Sequence, residues 1–226
     1  MKFTFYGHAC FLIETNGTKI LFDPFISKNP AAKEIDIAKI ECDYIAVSHA
    51  HFDHIADLVA IAKNTNATVI GTFELGDYLT NNDINNFHLM NIGGGYEFDF
   101  AYLKMVSAIH SNSFEGKYMG LAAGFVIETP QYCLYYAGDT ALHYDMKLLK
   151  HRFKINTAIL PIGGNYTMDY KDALIASDFV NCNQIIGVHF NTEPLIEIKE
   201  SVVATYFKNA GKKLLLPKIN QTVELI

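Results

Sequence analysis

The segment His49-Ala50-His51-Phe52-Asp53-His54 constrains this chain more than any other. His49, His51, Asp53 and His54 carry the imidazole and carboxylate ligands that suit zinc, manganese or iron. The segment follows Tyr44-Ile45-Ala46-Val47-Ser48, which reads as a short strand, and leads into a helical pattern from about Ile55 to Asn64. His49 and His51 are two apart, so an extended turn faces both toward one metal ion. Asp53 and His54 open the helix and point elsewhere, which suits a second ion nearby. The plain alternative is a polar loop with incidental histidines. With nine histidines in 226 residues, chance yields this pattern on the order of once per thousand such chains. It is therefore read as a metal site.

A second pattern is independent of that spacing. Asp23 follows the apolar run Thr18–Phe22, and His110 follows Tyr102–Ala108. Asp139 follows Tyr132–Ala137, and His189 follows Gln184–Val188. Strand ends in packed sheets converge on one rim, where ligands bind in many α/β folds. Histidines and aspartates delivered to one rim by five strand ends point to a dinuclear centre. A water shared by two such cations loses its proton near pH ~7 in favourable zinc sites.

The rest of the chain supplies a scaffold for that rim. Lys2–Tyr6, Cys10–Glu14 and Thr18–Phe22 read as a meander, with Asn16-Gly17 as a two-residue hairpin turn. Strands are expected at Thr68–Gly71, Tyr102–Ser107, Ala122–Thr129, Tyr132–Ala137, Thr157–Leu160, Gln184–Val188, Lys213–Leu216 and Thr222–Leu225. Helices are expected near Glu74–Leu79, from Tyr170 to Val180 with Asp169 as cap, and over Ile198–Asn209 before Gly211. Antiparallel strands open each half and strand–helix units follow, so two packed sheets with helices outside would bury the apolar surface. No linker or low-complexity segment interrupts residues 1–226, and one domain is expected.

Composition narrows the function classes. The net charge of −6 and the lack of any basic run argue against a nucleic-acid partner and a membrane surface. No signal peptide and no membrane span are read in the sequence. Cys10, Cys42, Cys133 and Cys182 form no close pair and read as reduced, buried thiols of a cytoplasmic protein.

The order Asp23, the His49–His54 motif, His110, Asp139 and His189 resembles the five-motif signature of the metallo-β-lactamase superfamily. The segments Tyr6–Glu14, Ile20–Pro24, Asn91–Gly94 and Pro161–Asp169 are similar to its small metal-dependent hydrolases near the lactonase-like branch. The resemblance implies an α/β (α+β) fold, the four-layer αββα sandwich. It also implies that His49, His51 and His110 hold one ion and that Asp53, His54 and His189 hold the other. Asp139 would bridge the two, and Asp23 would orient a ligand. Two divalent ions per chain are expected, zinc first, with manganese or iron as alternatives. Asp53 is the candidate proton shuttle.

The expected activity is hydrolysis of a small ester, lactone, amide or phosphate-containing metabolite. His8, His143, Gly164 and Tyr166 are candidate substrate contacts, although a satisfied turn histidine explains His8 equally well. A nuclease or phosphodiesterase of the same superfamily and a metal-binding module without catalysis are the alternatives. A di-iron redox relative would carry a carboxylate where this chain has His51. A homo-oligomer is compatible with a small enzyme of this type, and no sequence feature demands one.

Overall fold

The first three strands form because their alternation is regular: Phe3 and Phe5, Phe11 and Ile13, Ile20 and Phe22 all face one side. The computed structural model describes residues 1–225 and places these segments at Lys2–Gly7 (β1), Cys10–Thr15 (β2) and Thr18–Phe22 (β3). Their register pairs Phe11 with Phe22 and Ile13 with Ile20. The two phenyl rings stack with centroids 4.7 Å apart. The hairpin turn takes φ 51° at Asn16 and 79° at Gly17, the left-handed pair that a two-residue connection needs.

Tyr44–Ala46 (β4), Thr68–Thr72 (β5) and Phe87–Met90 (β6) add in parallel to β3. The terminal strand Gln221–Glu224 (β16) pairs antiparallel with β1, giving a seven-stranded sheet in the order β16-β1-β2-β3-β4-β5-β6. The second sheet also has seven strands. Gly95–Glu97 (β7), Tyr102–Ser107 (β8), Ala123–Glu128 (β11) and Cys133–Tyr136 (β12) are antiparallel neighbours. Thr157–Pro161 (β13), Gln184–Val188 (β14) and Lys213–Leu215 (β15) then continue in parallel. Ser113–Phe114 (β9) and Lys117–Tyr118 (β10) form a small separate hairpin.

The core lies in three layers. Between the sheets, Phe3, Phe11, Ile20 and Phe22 meet Leu103, Phe125, Leu134 and Tyr136. Outside the first sheet, Leu21, Ile45 and Val69 pack against Leu58–Thr65 (α2) and Leu75–Asn81 (α3). Outside the second, Tyr135, Leu160 and Ile185 pack against Met146–Leu149 (α4), Tyr170–Phe179 (α5) and Glu200–Asn209 (α6). The result is the four-layer αββα sandwich. No helix among the described residues is long and apolar enough to cross a membrane.

Several details differ from the sequence reading. The helix expected over Ile55–Asn64 is two pieces, Phe52–Ile55 (α1) and α2, separated at Ala56-Asp57. The break has a cause: the Asp57 carboxylate accepts hydrogen bonds from Ile26 N (2.6 Å), Ser27 N (2.8 Å) and the Ser27 hydroxyl, and its own N–H goes to Pro24 O. These bonds hold Asp57 out of the helical line. Strands β6, β7, β9 and β10 and helix α4 have no counterpart in the sequence reading; each spans four residues or fewer. Asp169 caps α5 as expected, accepting from Lys171 N and Asp172 N at 2.8 and 2.9 Å.

Candidate metal centre

The turns that follow the strands on one rim carry the donors. Asp23 leaves β3 and His8 leaves β1, while the His49–His54 segment follows β4. From the other sheet, His110 follows β8, Asp139 follows β12 and His189 follows β14. Three of these residues sit in the left-handed region, at φ 55° (His8), 42° (Asp23) and 55° (His189). That conformation costs a non-glycine residue roughly 1–2 kcal/mol and turns its side chain back over the strand end. A backbone bond from His189 N to His8 O (2.8 Å) ties two of these turns together, and Ala123 N to Ser48 O (3.0 Å) ties the two sheets.

Asp23 organises the floor of the site. It is fully buried. Its Oδ1 accepts from Ser48 N at 2.7 Å. Its Oδ2 accepts from the Ser48 hydroxyl at 2.6 Å, the Tyr136 hydroxyl at 2.6 Å and His54 Nδ1 at 2.9 Å. A carboxylate only accepts, so these bonds settle two tautomers. His54 carries its proton on Nδ1. The Ser48 hydroxyl gives its proton to Asp23 and must accept at 3.0 Å from His49 Nδ1. A neutral ring at either position therefore presents its Nε2 lone pair inward.

Those atoms stand close to further ring nitrogens. His49 Nε2 lies 3.0 Å from His51 Nδ1, which lies 3.2 Å from His110 Nε2. Donors around a tetrahedral zinc, at about 2.0–2.1 Å from it, stand roughly 3.3 Å from one another. On the other side His8, Asp53, His54 and His189 each bring one ligand atom to within 4.8 Å of the rest. Between the groups stands Asp139. Its Oδ2 is 3.0 Å from His189 Nε2 and 3.3 Å from His54 Nε2, and 3.7 Å from His110 Nε2 and 4.0 Å from His49 Nε2. Buried His54 Nε2 has no hydrogen-bond partner of its own. Imidazole nitrogens and carboxylate oxygens that converge at these spacings fit bound cations.

Charge follows the same pattern. Against the desolvation that burial imposes, the imidazoles of His189 and His54 hold the Asp139 carboxyl well below the usual carboxylate range. Asp53 is likewise held low, against burial, by its His8 bond and the nearby His54. Burial, with help from His54, pushes His49 far down and keeps it neutral, the form that ligates.

The structure brings His49, His51 and His110 into one group and Asp53, His54 and His189 into another, with Asp139 facing both. It adds His8 to the second group. The ring is 4% exposed. Its Nε2 donates to Asp53 Oδ2 at 2.9 Å, which leaves Nδ1 to accept from the Thr192 hydroxyl at 2.7 Å. Tyr166 and His8 line a cleft of about 440 Å³ over the cluster, with Phe52, Ser111 and Glu193. His143 and Gly164, read from the sequence as substrate contacts, are not among its lining residues. His143 instead lines a cavity on the outer face of the second sheet. It lies four residues beyond Asp139, far enough for the chain to turn away from the rim. Gly164 serves a tight turn at φ 74°, bonded to Met168 and Thr167. Ser48, Tyr136 and Thr192 were missed. Only Ser48 left a trace, as a polar residue closing an apolar strand.

The β-lactamase superfamily domain model matches residues 2–189. The chain belongs to the metallo-β-lactamase superfamily. A UPF0173 metal-dependent hydrolase of Flavobacterium johnsoniae is 50% identical over 226 residues, all of both chains. A second, from Christiangramia forsetii, is 44% identical over 227 residues, again covering both chains fully. Among solved structures, Igni18, a metallo hydrolase from Ignicoccus hospitalis, superposes with a TM-score of 0.89 at 30% identity, covering 98% of this chain and 97% of that one. The chain is thus a metal-dependent hydrolase of this superfamily, and its candidate His/Asp groups are those described above.

Proposed function

We propose that this hydrolase cleaves a small, uncharged carbonyl compound, an ester, lactone or amide, with two divalent ions, zinc foremost, held on either side of Asp139. The observation that carries the reading is the position of Asp139 Oδ2, within 4.0 Å of imidazole nitrogens from both groups. When bound, two such ions supply Lewis acidity, which lowers the pKa of water toward ~7 and polarises a carbonyl. The ligands would be His49, His51 and His110 for one ion and Asp53, His54 and His189 for the other.

The chain's own groups do the rest. Asp53 is the one carboxylate of the cluster with substantial exposure, 39% of its side chain. It faces the cleft, where it can take a proton from water and pass it to a leaving group. The His8 bond fixes its orientation. Phe52 and Tyr166, both about half exposed at the mouth, offer aromatic faces to the apolar part of a substrate.

The narrowing from phosphate to carbonyl substrates rests on the lining. It contains Asp53, Asp139 and Glu193 and no lysine or arginine. Phosphoryl groups are ordinarily clamped by cationic side chains as well as metals, and nucleic acid needs a basic track. Together with the negative net charge, this disfavours the nuclease reading. A cytoplasmic location and a small-molecule substrate belong to the same proposal.

The test is a matched panel on the zinc- or manganese-loaded protein: an aryl acetate, a lactone, and the monophosphate and methyl phosphodiester of the same phenol. Faster turnover of the carbonyl members supports the proposal. Preference for either phosphate would overturn it.

A further inference from the structure

Three consecutive residues on the loop that leaves β8 reach across to the other sheet. His110, the first, is a candidate donor. Asn112, the third, is buried, and its Oδ1 accepts at 2.8 Å from Ala50 N, inside the turn between His49 and His51. Its Nδ2 donates to Met119 O at 2.7 Å and to Leu121 O at 3.4 Å. A buried backbone donor needs a partner. Asn112 supplies one to Ala50 and ties its own loop down at the same time.

Ser111 stands between the two. Its Oγ lies 3.2 Å from His51 Nε2. The other nitrogen of that ring, Nδ1, faces the cluster, 3.0 Å from His49 Nε2 and 3.2 Å from His110 Nε2. A neutral imidazole carries one proton. A His51 ring that offers its Nδ1 lone pair inward therefore carries that proton on Nε2 and donates it to Ser111 Oγ. His49 and His54 are aimed by other means: both rings are buried, and their Nδ1 atoms bond to Ser48 and Asp23. His51 is only partly buried and lines the cleft, so packing constrains it less. Among the described residues, Ser111 is the hydrogen-bond partner of its Nε2.

We propose that Ser111 is the positioning residue of His51, accepting the Nε2 proton and so holding the ring with Nδ1 toward His49 and His110. The assignment rests on the two-ion reading given under the proposed function. Two observations favour it. A ligating imidazole ordinarily has its second nitrogen hydrogen-bonded, which sets both tautomer and orientation, and the Ser111 hydroxyl is placed to do this. The neighbouring Asn112 bonds fix the backbone that carries Ser111, so the contact is made from an anchored loop.

The test is chelator competition for zinc on the full-length chain, first in the His189→Ala background, which keeps His49, His51 and His110 intact. Ser111→Ala should weaken zinc there by about tenfold, the lower end of what such orienting partners contribute. Ser111→Thr keeps the hydroxyl and should restore the affinity. Ser111 is exposed, so neither change reaches the core. In the His110→Ala background, where the other group alone is complete, Ser111→Ala should change nothing. Spectra of the zinc-loaded protein with nitrogen-15 histidine give a second readout. They should show the His51 proton on Nε2, exchanging with solvent faster in Ser111→Ala. Equal affinity in Ser111→Ala and its His189→Ala parent would overturn the assignment while leaving the two-ion reading in place. So would an equal loss in Ser111→Thr, or a His51 proton found on Nδ1. A wild-type chain that holds no zinc would overturn both.

Discussion

Asp23 shows how much of the candidate metal centre is organised by a residue outside the groups of convergent donors. One buried carboxylate accepts four hydrogen bonds and through them fixes the tautomers of His49 and His54. Removing such an orienting group typically costs 10–100-fold in metal affinity. Asp23→Ala is therefore expected to lose roughly that factor in a chelator competition assay while keeping its sheets by circular dichroism. Unchanged affinity would mean that the imidazoles are aimed by packing alone. His8 makes a narrower case. Its ring links Thr192 to Asp53, on the side of His54 and His189 and away from His51 and His110. His8→Ala should weaken retention of the second ion and spare the first, read as stepwise metal release on titration with chelator. The candidate donors were legible in the sequence because they are chemically distinctive and stand at strand ends. Ser48, Tyr136 and Thr192 were not, because their roles depend on which turn approaches which, and nothing in a hydroxyl's sequence neighbourhood reports that.

At the scale of elements, the site depends on turns that only unusual backbone conformations allow. Gly138, between β12 and Asp139, sits at φ 64°, and a Cβ there would lie 2.4 Å from Ala123 O. Gly211, after α6, has a similar φ of 74°, but a Cβ would meet nothing within 4 Å. The two separate conformational strain from collision. Gly211→Ala should cost about 1–2 kcal/mol, the left-handed penalty alone. Gly138→Ala should cost clearly more, since backbone must also move, with Asp139 displaced. Urea unfolding of both variants measures the difference. Long strands with regular alternation were readable, as was the Asn16-Gly17 turn. The split between α1 and α2 was not, because the apolar pattern runs on through Asp57. Only the contacts of Asp57 with Ile26 and Ser27 reveal the break.

For the whole molecule, the sandwich places most of its aromatic mass between the sheets and leaves the rim to the donors. Phe11 is fully buried and packs on Phe3, Phe22 and Tyr136. Phe11→Ala should cost about 3–5 kcal/mol in equilibrium unfolding. All four cysteines are buried and free. Burial pushes the Cys42 thiol up to about 11 and that of Cys133 to about 12, and raises those of Cys10 and Cys182. Thiolate is the reactive form, so the folded protein should resist a thiol reagent at pH 8 and react fully once unfolded. The layer order was legible before the structure because the strand–helix alternation repeats in each half. The cavity beside His143 was not, since it arises where short α4 meets the sheet. Elemental analysis of the reconstituted protein beside His110→Ala and His189→Ala decides whether two ions share Asp139. About two ions are expected in the wild type and about one in each variant, as each loses a ligand to a different ion. One ion or none in the wild type, or two retained in both variants, would contradict it.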